Sequence, residues 1–384
     1  MALQEKLQKE LDAECADSNR IPGAILFLAD RKGDTLAHVA SGVRSVETKE
    51  PMAADQLHWI ASCTKLITAI ACMQLVEQGK LKLDEPVESI VPELGQAMVD
   101  DGSGQLREPK TKVTLTHLLT HTAGQSYEFF NPQTCDYFKK IGAKPFSSSK
   151  KTITAPLVSE PGTKWEYGTS IDWVSQIIER VSGTDLDSYF KKHIFEPLGI
   201  KSMTTKPETG IAGGVKARLA GLHQRGKDGN ISATPHLIQL DESKIEVQYG
   251  GAGLFANAAE YCQVLIALLN HGTHPKTKAQ ILKPTSVDEL FKNRLPENLV
   301  ADLDRPFEAA IPEISNRFIS LEGIAKQWSY GGQTTPEGVA NGRSSKSAWW
   351  AGIANHYWFM DMETGVCGMI QCQILPFFDP YVVP

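Results

Sequence analysis

The stretch IASCTKLITAIACMQLVEQGKLKLDEPV, residues 60–87, decides how the rest of the chain reads. Leu66, Ile70, Met73 and Val76 recur at spacings of three and four, which predicts a helix opening at Ile60-Ala61-Ser62 and stopping at Gly79. Ser62 and Lys65 then lie one turn apart on one face. A serine hydroxyl is a poor nucleophile at neutral pH; it needs a base within hydrogen-bond reach and donors for the developing oxyanion. Lys65 meets the first need, and the helix N-terminus turns N–H groups and a positive dipole end toward a reacting carbonyl. Spacing alone decides little, since Ser147/Lys150, Ser148/Lys151 and Ser188/Lys191 share it. Those three read as polar loop or solvated helix face. Ser62 differs because it stands at a strand-to-helix entry and leads a buried apolar helix.

Working outward, residues 2–18 form an amphipathic helix, and GAILFLADRKGDTLAHVASG (23–42) reads as a β-hairpin around Arg31-Lys32-Gly33-Asp34. From about 80 to 240 helical periodicity dominates, with Pro and Gly breaks, a polar loop at 144–152 and one helix over 170–192. Residues 250–271 read as a turn and a buried helix, and 292–346 as a loop-rich segment able to form a lid. Strands return at Asn355–Met360 and Val366–Leu375, joined by the turn Asp361-Met362-Glu363-Thr364-Gly365. The expected fold is α/β: an antiparallel sheet built from both chain ends and flanked by helices, with a large, mostly helical insertion. Residues 1–80 with 250–384 would make one domain and 81–249 the other, the active site lying in the cleft between them.

Composition narrows the function. The 384 residues are 41% hydrophobic and 22% charged, ordinary for a globular protein, and the net charge of −6 offers no basic face for nucleic acid. No run of about 18 apolar residues suggests a membrane span. Near the N-terminus Leu3, Leu7 and Leu11 are separated by charges, unlike an export signal. Seven scattered cysteines read as reduced thiols, so the expected location is cytoplasmic. Neither C-x-x-C nor H-E-x-x-H occurs, so neither a metal nor another cofactor is expected.

Five ordered segments carry a family resemblance, from about residue 21 to 375. Residues 60–87 resemble the nucleophile helix of the serine β-lactamase-like superfamily, in particular class C β-lactamases and family VIII carboxylesterases. VTLTHLLTHTAG (113–124), EPGTKWEYGTSIDW (160–173), EPLGI (196–200) and GGAGLFANAAEY (250–261) are similar to later landmarks of that superfamily. The resemblance implies a β-lactamase/transpeptidase-like fold with Tyr167 as the second catalytic group. Thr169 stands where Asn or Ser is usual and keeps a hydroxyl that can bond Lys65. The third family segment is Lys-Thr-Gly, and here Trp350-Ala351-Gly352 opens a strand in its place. An alternative alignment, Lys346-Ser347-Ala348, keeps a lysine but lacks the glycine that lets a substrate approach. The Trp-Ala-Gly form, continuing as WAGIANHYWFMD, is similar to esterases and to fungal polyketide transesterases of the statin side-chain acyltransferase kind. Losing the lysine removes a docking charge for a substrate carboxylate and a cation that would favour the Tyr167 phenolate. Esters or thioesters fit that site better than penicillins.

The resemblance assigns Ser62, Lys65 and Tyr167 to catalysis and the backbone N–H groups of Ser62 and Ile353 to the oxyanion hole. Trp350, Ala351, Gly352, His356, Thr169, Tyr127 and Phe129 are the expected substrate contacts. Phe130, Trp328, Tyr330 and Trp349 join Tyr127, Phe129 and Trp350 as candidate walls of an apolar pocket. His117, His121 and Asp136 do not make a Ser-His-Asp triad, because their segment is structural in the resemblance and no G-x-S-x-G elbow exists. Cys63 points off the Ser62/Lys65 face and reads as a small core residue. The expected activity is acyl transfer from a small-molecule ester or thioester, free or on a carrier protein, to an alcohol of a secondary metabolite. A carboxylesterase is the first alternative and a non-catalytic scaffold the second. Exported cell-wall chemistry is disfavoured by the same missing lysine.

Overall fold

Side chains of the first strand divide between two cores. Along Gly23–Asp30 (β1), Ile25, Phe27 and Ala29 enter the main core, while Ala24 and Leu26 turn to a smaller cluster beneath helix Leu3–Cys15 (α1). This period of two is the alternation expected of a strand covered on both faces. The computed structural model describes residues 2–100, 102 and 105–383. Thr35–Gly42 (β2) completes the hairpin. Gln327–Trp328 (β3), Gln333–Thr334 (β4), Ser347–Gly352 (β5), His356–Asp361 (β6) and Val366–Gln371 (β7) complete a seven-stranded sheet. Its order is β2-β1-β7-β6-β5-β4-β3, antiparallel at every step. The two chain ends meet at β1 and β7, where Ile25 pairs with Gln371 and Asp30 with Val366.

Helix Thr64–Glu77 (α2) packs against helix Ser170–Ser182 (α3), and helix Ala258–Leu269 (α4) covers β7 and β1. Every residue from Thr64 to Leu75 is buried, so α2 has no solvent stripe and behaves as a core helix. A short antiparallel pair sets its entry angle: His58 opposite Ala256 and Trp59 opposite Phe255. Ile60 N–H then donates to Leu254 O at 3.0 Å, and Leu254 N–H to Thr64 Oγ1 at 3.1 Å. From the other side the end of β5 lies against the same turn. A Cβ on Gly352 would stand 2.2 Å from Ile60 O, so only glycine permits that approach.

Four expectations change. The helix over 170–192 is broken, because Gly183 takes a left-handed φ of +72° and Asp185 caps a new turn by accepting from Ser188 N–H at 3.1 Å. The segment 292–346 contributes β3 and β4, strands too short for any periodicity to register. Trp350-Ala351-Gly352 closes a strand that begins at Ser347 instead of opening one. The last strand ends at Gln371; Ile374–Leu375 leaves the sheet and pairs in parallel with Leu222–Arg225, itself an unexpected hairpin with Ile231–Thr234.

His58 and His356 meet under this framework with ring centres 5.6 Å apart, and His356 Nε2 faces Gln373 Oε1 at 2.9 Å. Both rings are fully buried; burial holds His58 well below the ordinary imidazole range and His356 down to about 4. The folded chain therefore keeps both neutral where an unfolded imidazole, titrating near 6.5, takes a proton. Stability is lost as pH falls from about 6.5 toward 4, and His356 alone should remove about 2 kcal/mol by about pH 5. Urea unfolding near neutrality and near pH 5 should show this loss, and a His356→Gln variant should show clearly less of it; equal losses in both proteins would contradict the assignment.

Candidate active site

One tight turn, Ala61–Cys63, carries the chain into α2 with Ala61 at a φ of +43°, a left-handed conformation that a residue with a Cβ rarely adopts. Ser62 sits on this turn, and Lys65 follows on the first turn of the helix. Lys65 Nζ donates to Ser62 Oγ at 3.1 Å, to Tyr127 OH at 3.0 Å and to Gly251 O at 2.8 Å. Three acceptors therefore use every proton that an ammonium carries. The side chain is almost wholly enclosed, and burial lowers its affinity for the third proton against the opposing pull of Asp172. Burial also raises Asp172, against the charge of Lys65 and the Gly251 N–H, which donates to its carboxylate at 2.8 Å.

Tyr167 arrives from a segment laced to residues 121–127. Glu166 N–H donates to His121 O at 2.8 Å and Tyr127 N–H to Tyr167 O at 3.3 Å. A Cβ on Gly168 would meet Gln125 O at 2.3 Å, so the close approach of these two chains requires glycine there. The Tyr167 ring lies 4.7 Å from Lys65 Nζ, and its hydroxyl accepts from Trp350 Nε1 at 2.8 Å. Burial pushes the phenol up, while Ser62 and Trp350 at its oxygen work against the rise. Ser62, Tyr167, Trp350, Ala351 and Ile353 border one narrow aromatic slot, which leaves about 30 Å³ for the centre of a water-sized molecule. Among the described residues, neither the Ser62 nor the Ile353 N–H donates to a turn, loop or cap carbonyl.

The structure thus brings Ser62, Lys65, Tyr167, Trp350, Ala351, Ile353 and Phe129 together and redistributes the other expected contacts. Tyr127 is a hydrogen-bond partner of Lys65 instead of a wall of the slot. Thr169 is not among the partners of Lys65, because Tyr127 and Gly251 occupy those bonds. His356 opens β6 with its ring against His58 and Gln373 and does not border the slot. Gly352 acts through its backbone, as the close contact to Ile60. Lys346 precedes β5 and borders a different, charged pocket, whereas Trp350 at the other end of that strand meets Tyr167. Of the other candidate aromatics, Phe130 and Trp349 line the slot, while Trp328 and Tyr330 lie at a second, smaller cavity. Phe307, Phe318 and Phe377 are slot walls that the sequence did not reveal, since each stands outside any motif or period. Asp172 and Gly251 join the site as neighbours of Lys65, although nothing in their own family segments marks them.

Comparison with known proteins identifies the family and relatives of the chain. The family model described as beta-lactamase matches residues 5–381. The monacolin J acid methylbutanoyltransferase of Aspergillus terreus is 31% identical over 389 aligned positions, covering 94% of this chain and 89% of that protein. The lovastatin esterase of Penicillium rubens is 31% identical, covering 94% and 91%. The unliganded, selenomethionyl structure of simvastatin synthase (LovD) from Aspergillus terreus superposes with a TM-score of 0.83 at 29% identity, covering 100% of this chain and 96% of that one. Over nearly its whole length, the chain belongs to the beta-lactamase family.

Proposed function

We propose that this protein is a serine acyltransferase that moves an acyl group from an ester or thioester to an alcohol of a secondary metabolite, through an acyl intermediate on Ser62. The observation that carries the reading is the enclosed Lys65 amine bonded to Ser62 at 3.1 Å, at the edge of an aromatic slot. Burial disfavours the ammonium, so a neutral amine can take the Ser62 proton as Oγ attacks the acyl carbonyl. The unengaged N–H groups of Ser62 and Ile353 receive the oxyanion. Tyr167 passes a proton to the leaving alcohol or thiol and later takes one from the incoming alcohol. The Trp350 N–H on its oxygen steadies the developing phenolate where the family lysine would.

The slot walls are mostly aromatic, which supports an apolar acyl group and an entry from which water is largely excluded. The relatives named as a methylbutanoyltransferase and a simvastatin synthase support a short acyl group and a larger acceptor. The donor is a small ester or thioester, free or on a carrier protein. Residues 1–80 with 250–384 and residues 81–249 are proposed as the two lobes around the site. Seven cysteines, all free thiols, support a cytoplasmic setting. One second reading has its own support: a relative of equal identity is named an esterase, and hydrolysis needs only that water reach the same acyl-enzyme.

A fluorophosphonate should modify Ser62, seen as a single adduct by mass spectrometry, and Ser62→Ala should lose the adduct and at least ~10⁴-fold in kcat/KM. An unmodified Ser62 in active protein would refute the assignment. Offering a short-chain thioester with and without candidate alcohols separates the two activities: ester product identifies transfer, free acid alone identifies hydrolysis. Asp172→Asn removes a negative charge that holds the proton on Lys65, so the ascending limb of the kcat/KM profile should move to lower pH. Movement to higher pH would mean that Lys65 is not the base.

A further inference from the structure

Two buried side chains leave polar atoms unpartnered in the same small space. Among the described residues, both ring nitrogens of His121 and Nε1 of Trp358 have no hydrogen-bond partner, and each residue is only 1% exposed. They border a second cavity, which also touches Ser62 and Lys65 and shares only Ser62 and Trp350 with the aromatic slot. The ring neighbours of His121 are aromatic: Tyr167 at 4.7 Å, Trp328 at 5.2 Å and Trp165 at 6.3 Å between centres. None of these contacts satisfies its nitrogens.

The chemistry of the two groups defines what fits. Burial and the nearby Lys65 charge keep the His121 imidazole neutral, so it presents one N–H and one lone pair. The Trp358 indole presents an N–H only. An occupant has to accept from Trp358 and donate to His121, which an aliphatic acyl chain cannot do and water can. The cavity leaves about 10 Å³ for the centre of a water-sized molecule, which is room for about one. Lys65 has its three acceptors already and Tyr330 OH is bonded to Thr116 at 3.1 Å, which leaves Ser62 Oγ as the third polar neighbour.

We infer that this cavity holds the water that hydrolyses acyl-Ser62, and that His121 and Trp358 position it there. The inference rests on the acyl-enzyme reading above. Water oxygen attacks the acyl carbonyl carbon while one of its protons passes to Tyr167, as from an incoming alcohol. Collapse of the tetrahedral intermediate breaks the bond to Ser62 Oγ, which recovers its proton from Lys65 at 3.1 Å, and the free carboxylic acid departs. Hydrolysis then has a built-in seat of its own, apart from the slot by which an alcohol would enter, and the residues of the small cavity set the ratio of transfer to hydrolysis.

The test uses the full chain with p-nitrophenyl butyrate as donor and n-butanol as acceptor, reading butyl butyrate against free butyrate, with acyl-Ser62 followed by intact mass. His121→Phe removes both nitrogens but keeps a ring; Trp358→Phe removes the indole N–H but keeps an aromatic side chain. Each should raise the ester-to-acid ratio by ~10-fold or more over wild type. A wild-type ratio in either folded variant that still acylates Ser62 would overturn the inference, whereas absence of acyl-Ser62 in wild type would instead overturn the acyltransferase reading. A high-resolution crystal structure of the wild type gives an answer independent of both variants: an ordered water bonded to His121 and Trp358 supports the site, and a dry cavity rules it out.

Discussion

Lys65 carries an amine to a place that water barely reaches, and much of the molecule is arranged around that one desolvated group. Burying an amine this way is tolerable only if every N–H finds an acceptor. The acceptors come from three distant parts of the chain: Ser62 on the same helix, Tyr127 from the loop after residue 121, and Gly251 from the turn before α4. Each of these is held in turn. Gly251 is fixed by its N–H to Asp172, Tyr127 by its N–H to Tyr167, and the Ser62 turn by Leu254 and Gly352. Asp172 is the one negative charge identified close by, and it works against desolvation, so that the amine is neither permanently charged nor stripped of its affinity for a proton.

Seen from Tyr167, the exchange of a lysine for Trp350 alters electrostatics more than shape. An indole N–H still points at the phenol oxygen, but it brings a dipole where the lysine would bring a full charge. On the proposed reading, a substrate carboxylate would meet an indole where the family lysine would dock it, and an apolar acyl group would meet an aromatic wall. Phe129, Phe307, Phe318 and Phe377 extend that wall from four separate segments, so the selectivity of the slot is a property of loops brought onto a rigid sheet.

Much of this could be read from the chain alone, and the misses share a cause. The period-three and -four pattern of α2, the alternation in β1 and the Pro-Gly approach to Tyr167 are local, and local patterns survive in a sequence. The break at Gly183 is equally local, a left-handed stop followed by an Asp cap. Analogy of position pairs Thr169 with Lys65, but in space Tyr127 makes that hydrogen bond. His356 lies six residues from Trp350 in sequence, yet across that hairpin turn its ring meets His58 and Gln373 and not the slot.

By itself the sequence pointed to Ser62 and Lys65 on one helical face, to Tyr167 through its family resemblance, and to an antiparallel sheet drawn from both ends, because helix spacing, strand alternation and ordered motifs act over short distances. Only the tertiary structure decided what surrounds them: Asp172 and Gly251 at the amine, Phe307, Phe318 and Phe377 in the slot, and His121 with Trp358 at the small cavity. Those neighbours are set by strand register and by the close approaches that Gly352 and Gly168 allow. Burial and hydrogen-bond partnership are properties of distance in space, and no spacing along the chain encodes them.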